Sequence, residues 1–148
     1  MEGFLQQWFH HYQKGDGVEV NELSEATQVH WKTLLCQLKA GELDSWQNSP
    51  PGRLSLILLM GPVAHIFEDE HSISFQRRAH ELCVSGVDKG FDTQLNPIQR
   101  RCFYDPLFYS TRAEDRALLI KLLDGMQFQV EQAVRPAWSN WYQQAQVS

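Results

Sequence analysis

Residues 49–71 read SPPGRLSLILLMGPVAHIFEDEH. Leu54 to Met60 are apolar on nearly every side of a helical wheel, the pattern of a helix buried all round. Ser49 suits an N-cap, and Pro50 and Pro51 suit a first turn, where a missing N–H leaves no bond unmade. Pro62 lacks an amide hydrogen and crowds the preceding turn, so a kink or stop is expected there. After it, His65 and His71 bracket Glu68, Asp69 and Glu70. On a helix, His65 and Glu68 or Glu68 and His71 would share a face, and histidine with carboxylate is a zinc ligand set. The histidines are six apart, however, which is not the H-E-x-x-H spacing. The segment reads as an acidic loop entering the next helix, whose positive N-terminus its charges complement. No metal or cofactor is expected.

The neighbouring segments repeat the helical period. Phe4, Leu5, Trp8, Phe9 and Tyr12 recur at three- and four-residue spacing, and KGDG at residues 14–17 stops them. A second helix starts at Asn21 or Ser24 and turns Leu23, Ala26, Val29 or His30, Leu34 and Leu38 inward, with Gly41 as its stop. A fourth runs from Ser72 or Ser74 to Lys89, with Phe75, Ala79, Leu82 and Cys83 inward and Gly90 as cap. Asn96 and Pro97 open a fifth, which Pro106 limits. Thr111 and Glu114 form a capping-box pattern before Leu118, Leu119, Leu122, Met126, Val130 and Ala133. Gly125 interrupts that run, and a tail after Pro136 carries Trp138, Trp141 and Tyr142. No alternating apolar and polar stretch supports a sheet. Residues 1–148 are expected to form one all-α domain, an array of roughly six or seven helices packed as antiparallel hairpins across short connections.

Composition narrows the function. The chain has 148 residues, 43% hydrophobic and 21% charged, a globular balance with enough length for one core. Its formal charge of −5 gives no basic stripe with which to displace counterions, so nucleic acid is not an expected partner. The N-terminus has neither a cationic start nor a pure apolar run, and Leu56 to Met60 is too short to span a bilayer. Three cysteines, Cys36, Cys83 and Cys102, lie far apart among apolar neighbours, which fits reduced, buried thiols in a cytoplasmic protein. There is no phosphate-binding glycine loop and no G-x-S-x-G elbow.

From Ala40 to Ser110 the chain resembles a bacterial family catalogued as DUF924, a domain of unknown function. The residues that carry the resemblance are AGELDSW with Trp46, PGRLSLILLM with Arg53, Phe75 and Ala79 in the following helix, and RRCFYDPLFYS with Arg100, Tyr104 and Pro106. The family pattern implies an all-α fold like that of tetratricopeptide repeats. Its D-Q-F-P-R-N segment falls on Gly61-Pro62-Val63-Ala64-His65-Ile66, and its His-Ser-Glu falls on Tyr109-Ser110-Thr111. An aspartate usual in the next helix falls at Arg78, and a second F-P-H-R-N-like segment has no counterpart before the end of the sequence. The resemblance is to a divergent, shortened member whose polar motifs are largely overwritten.

Three functional expectations follow. The leading one is a non-catalytic, tetratricopeptide-like protein that binds a protein or peptide partner or a second copy of itself, with Trp138, Trp141 and Tyr142 as contact candidates. These aromatics would equally serve packing against the first helix. The alternative is a small-ligand protein or enzyme with a site between the third and fifth helices. Its candidate residues are Arg53, His65, Arg100, Tyr104 and Tyr109, of which Arg53, Arg100 and Tyr104 follow from the resemblance. The third is a scaffold without activity. His80 and Glu81 are expected on a helix surface, and Ser110 as a cap or loop hydrogen bond rather than a nucleophile.

Overall fold

A computed structural model describes residues 1–12, 18–130, 132 and 134–146. Eight helices form among them, with no strand: α1 (Glu2–Tyr12), α2 (Glu25–Lys39), α3 (Pro50–Leu58), α4 (Ser72–Asp88), α5 (Pro97–Phe103), α6 (Asp105–Phe108), α7 (Ala113–Met126) and α8 (Arg135–Gln146). The short α6 is the addition to the expected set. Pro106 ends α5 but also starts a new turn, since its fixed φ is already helical. The KGDG loop and Ala133 lie outside the described residues.

The cap chemistry is local, and most of it is as the sequence implies. Ser24 accepts the Thr27 amide, Ser49 accepts the Gly52 amide, and Asn96 and Gln99 close a reciprocal capping box. Gly41 and Gly90 adopt φ of +80° and +74° just past α2 and α4, a conformation only glycine reaches without strain. Two local expectations give way. Thr111 does not cap α7; Arg112 stands at that position without a side-chain cap bond, and its amide donates to Ser110 instead. Gly125 does not interrupt α7, which ends one residue later.

Proline does not stop α3 either. The chain widens into a π turn at Leu59–Val63, which contains Pro62, and continues through a last α turn at Ala64–Ile66. A π turn adds one residue, which gives the Pro62 ring room beside the carbonyl it would otherwise strike. The Phe67–His71 segment then forms the expected loop.

Leu54, Leu56, Ile57, Leu58, Leu59 and Met60 are all essentially without solvent contact, so α3 is the axis around which the others pack. α2 turns Trp31, Leu34, Leu35 and Leu38 inward, while Val29 is 64% exposed. The reason is Trp31. Its indole packs against Phe4 and Trp8 and donates to Gln7 of α1, which rotates the helix away from Val29. Cys83 and Cys102 are buried as expected, but Cys36 is exposed. No helix among the described residues is long and apolar enough to cross a membrane.

Candidate functional site

Two buried arginines hold the interior together. Arg53 of α3 donates from Nε to the Gln47 carbonyl at 2.9 Å and from Nη1 to the Leu82 carbonyl at 3.2 Å and the Ser85 hydroxyl at 2.7 Å. Its guanidinium also lies over the Phe91 ring. Arg100 of α5 donates twice to the Tyr104 hydroxyl, at 3.2 and 2.8 Å, and that hydroxyl in turn donates to the buried carboxylate of Asp92. Gln129 takes another Arg100 N–H. Burial lowers the Arg53 pKa and raises that of Tyr104, so the phenol stays a donor. With their polar atoms engaged inside the protein, Arg53, Arg100 and Tyr104 tie α3, α4, α5 and the Asp92–Gln94 turn to one another.

The open space lies elsewhere. A cleft of about 1000 Å³ runs between α1, the π turn of α3, α4, α5–α6 and the start of α7. That volume suits a small organic ligand. Trp8, Val18, Ile57, Leu58, Ile66 and Ala79 give it apolar walls, and exposed Ile73 and Tyr109 stand among its lining residues. His65 and Tyr109 line it, while Arg53, Arg100 and Tyr104 do not.

The polar groups of the cleft form two clusters. At one, Arg101 donates to Asp105 at 2.5 Å and stacks on Phe108, its central carbon 4.0 Å from the ring centroid. Arg101 Nε is buried and has no partner among the described residues. Burial pushes the Asp105 pKa up, against the pull of Arg101. Beside them Cys102 is buried, and burial, then the charge of Asp105, pushes its thiol up to about 12. A thiol held so far above neutral pH is no nucleophile.

At the other cluster, Asp115 Oδ2 accepts from the Ser110 hydroxyl at 2.6 Å and lies 3.0 Å from His80 Nε2. His80 Nε2 is buried, and its contact with that oxygen is electrostatic more than a full hydrogen bond. Burial opposes the charge on Asp115, but the Ser110 hydroxyl and His80 hold its pKa below the usual carboxylate range. Asp115 also sits in the first turn of α7, where the helix dipole favours a negative charge. The carboxylate lies between serine and histidine. A serine nucleophile requires the histidine in that place, so Ser110 acts as the loop hydrogen bond expected of it.

His80 was expected on a surface, yet it belongs to the cleft. Neither Arg101 nor Asp115 stood out in the sequence. Arg101 occupies the second place of an Arg-Arg pair that looks like a solvated face, and Asp115 resembles an ordinary first-turn acid. Their meaning comes from neighbours that are distant in the chain. Among the described residues, no three His, Cys, Asp or Glu side chains are placed to hold a metal ion. His71 instead faces Asp69, which also takes Lys39 at 2.6 Å.

At the tail, Trp141 is buried and Trp138 donates its indole N–H to the Leu123 carbonyl at 3.0 Å, fastening α8 to α7. Tyr142 packs against Trp138 at a tilt and is half-buried.

The cleft also marks where this sequence departs from the pattern it resembles. Gly61, Pro62, His65 and Ile66 stand where that pattern carries its Asp, Gln, Arg and Asn, and all four line the cleft. Val63 and Ala64, at its Phe and Pro, are buried. No curated protein and no solved structure matches the chain. A family model described as "Bacterial protein of unknown function (DUF924)" matches residues 3–147, far beyond the segment that carries the resemblance in sequence, and the chain therefore belongs to the DUF924 family.

Proposed function

We propose that this protein binds a small, largely uncharged organic molecule in the cleft beside the π turn. The observation that carries the reading is the convergence of His65, His80, Arg101 and Tyr109 on a space of about 1000 Å³ with apolar walls. The arginines lining it, Arg77, Arg101 and Arg112, are offset by Glu81, Asp105 and Asp115, which disfavours a strongly charged ligand. The tail aromatics are largely engaged in packing α8 on α7, which favours the cleft over the tail as the seat of function.

Gly61 supplies the test. A Cβ built there meets nothing within 4 Å, so Gly61→Phe places a ring in the cleft without striking the core. Ligand-observed NMR with aryl esters, aryl amides and the matching carboxylates is expected to find binders among the neutral compounds for the wild-type protein and to lose them in Gly61→Phe. Binding that survives the substitution, or a preference for the carboxylates, would refute the reading.

A further inference from the structure

The second cluster has the parts of a proton acceptor. Nε2 of His80 is buried against Asp115, while the side chain as a whole is 29% exposed and lines the cleft. A carboxylate 3.0 Å from one imidazole nitrogen favours the proton on that nitrogen electrostatically, which leaves the lone pair at the other. Asp115 remains ionised to play that part, fixed by the Ser110 hydroxyl and the start of α7. Ser110 and Cys102 of the lining are not placed as nucleophiles, because the Ser110 hydroxyl donates its hydrogen bond to Asp115 and the Cys102 thiol is buried.

We propose that His80 is the general base of a hydrolytic site for uncharged esters in this cleft, with Asp115 as its positioning residue. The proposal rests on the ligand-binding reading above. In the step, His80 Nδ1 takes a proton from water as the water oxygen bonds to the acyl carbon. The carbonyl oxygen takes up the negative charge. The acyl C–O bond then breaks, and the alkoxide leaves with the proton from His80. Ester and water give one carboxylic acid and one alcohol.

The probes are p-nitrophenyl acetate for turnover and p-nitroacetophenone, a ketone of similar shape that cannot be hydrolysed, for binding. The wild-type protein is expected to release p-nitrophenol with saturation. His80→Gln and His80→Asn are expected to lose about 100-fold or more in kcat, the scale of a general base, while ketone binding, weakened by no more than one lost contact, persists and reports intact folding. Asp115→Asn is expected to lower kcat more than KM changes, and nitrogen-15 NMR is expected to show His80 losing its single Nε2–H tautomer. His71→Gln, a histidine outside the cleft, is expected to change nothing. Ketone binding with no turnover, or turnover that survives loss of His80, overturns the base and leaves the binding reading standing. Absence of binding by either probe overturns both. An unchanged tautomer in Asp115→Asn removes Asp115 from its role.

Discussion

Replacing Arg53 by methionine tests whether this residue serves the fold or a ligand. Methionine follows the same path through the core but leaves the Gln47 carbonyl, the Leu82 carbonyl and the Ser85 hydroxyl without the guanidinium. Hydrogen bonds to a charged group contribute about 1.5–3 kcal/mol each, so the gross loss is roughly 4–9 kcal/mol. Removing the charge from a buried site returns several kcal/mol of desolvation, less the lost contact of the guanidinium with the Phe91 ring. The Leu82 carbonyl retains a weak contact from Ser85. The net cost is about 2–4 kcal/mol, a large share of a typical domain's stability. Urea denaturation followed by tryptophan fluorescence measures it, with the slope checked against wild type. Affinity for a cleft ligand, measured on the folded fraction, is expected to be unchanged, because Arg53 does not line the cleft. A stability loss below about 0.5 kcal/mol, the size of an ordinary surface change, would refute the structural role, and a selective loss of binding would place Arg53 in the site.

Two glycines should respond with opposite sign. At Gly86 an added Cβ would lie 2.5 Å from Phe103 Cζ, so Gly86→Ala is expected to lose up to about 2 kcal/mol after its helix-propensity gain, whereas Gly61→Ala, open to the cleft, is expected to gain up to about 1 kcal/mol; thermal and urea melts compare them. Acid should weaken the fold through Asp69 and Asp115. Burial opposes their charge, but Lys39 and His71 at the first and Ser110 and His80 at the second hold their folded pKa values below the ordinary 3.8. Their contribution is therefore complete above that value and is lost as pH falls through the lower folded values. Asp69→Asn with Asp115→Asn should lie below wild type in urea titrations at neutral pH and converge with it on acidification; a constant gap would contradict this.

What the sequence disclosed was governed by neighbours within one or two turns. Ser24, Ser49 and Asn96 as caps, Gly41 and Gly90 as stops, and the all-round apolar run of α3 were legible because each depends on residues a few positions away. The same locality explains where the sequence misled. Pro62 is a breaker by its own chemistry, and only the surrounding helices make a π turn preferable to a stop. Val29 fits an inward stripe until the Trp31 contact with α1 sets the rotation of α2.

The cleft lay beyond that reach. Two of its residues, His65 and Tyr109, were named from sequence, but Arg53, Arg100 and Tyr104 were grouped with them by motif and proved to be interior ties. Helical period, cap chemistry and family pattern established by themselves that this chain is an all-α member of its family. Tertiary packing alone decided that Trp8, His65, His80, Arg101 and Asp115 border one space, since a cleft is made by side chains from separate helices and no local interaction encodes their meeting.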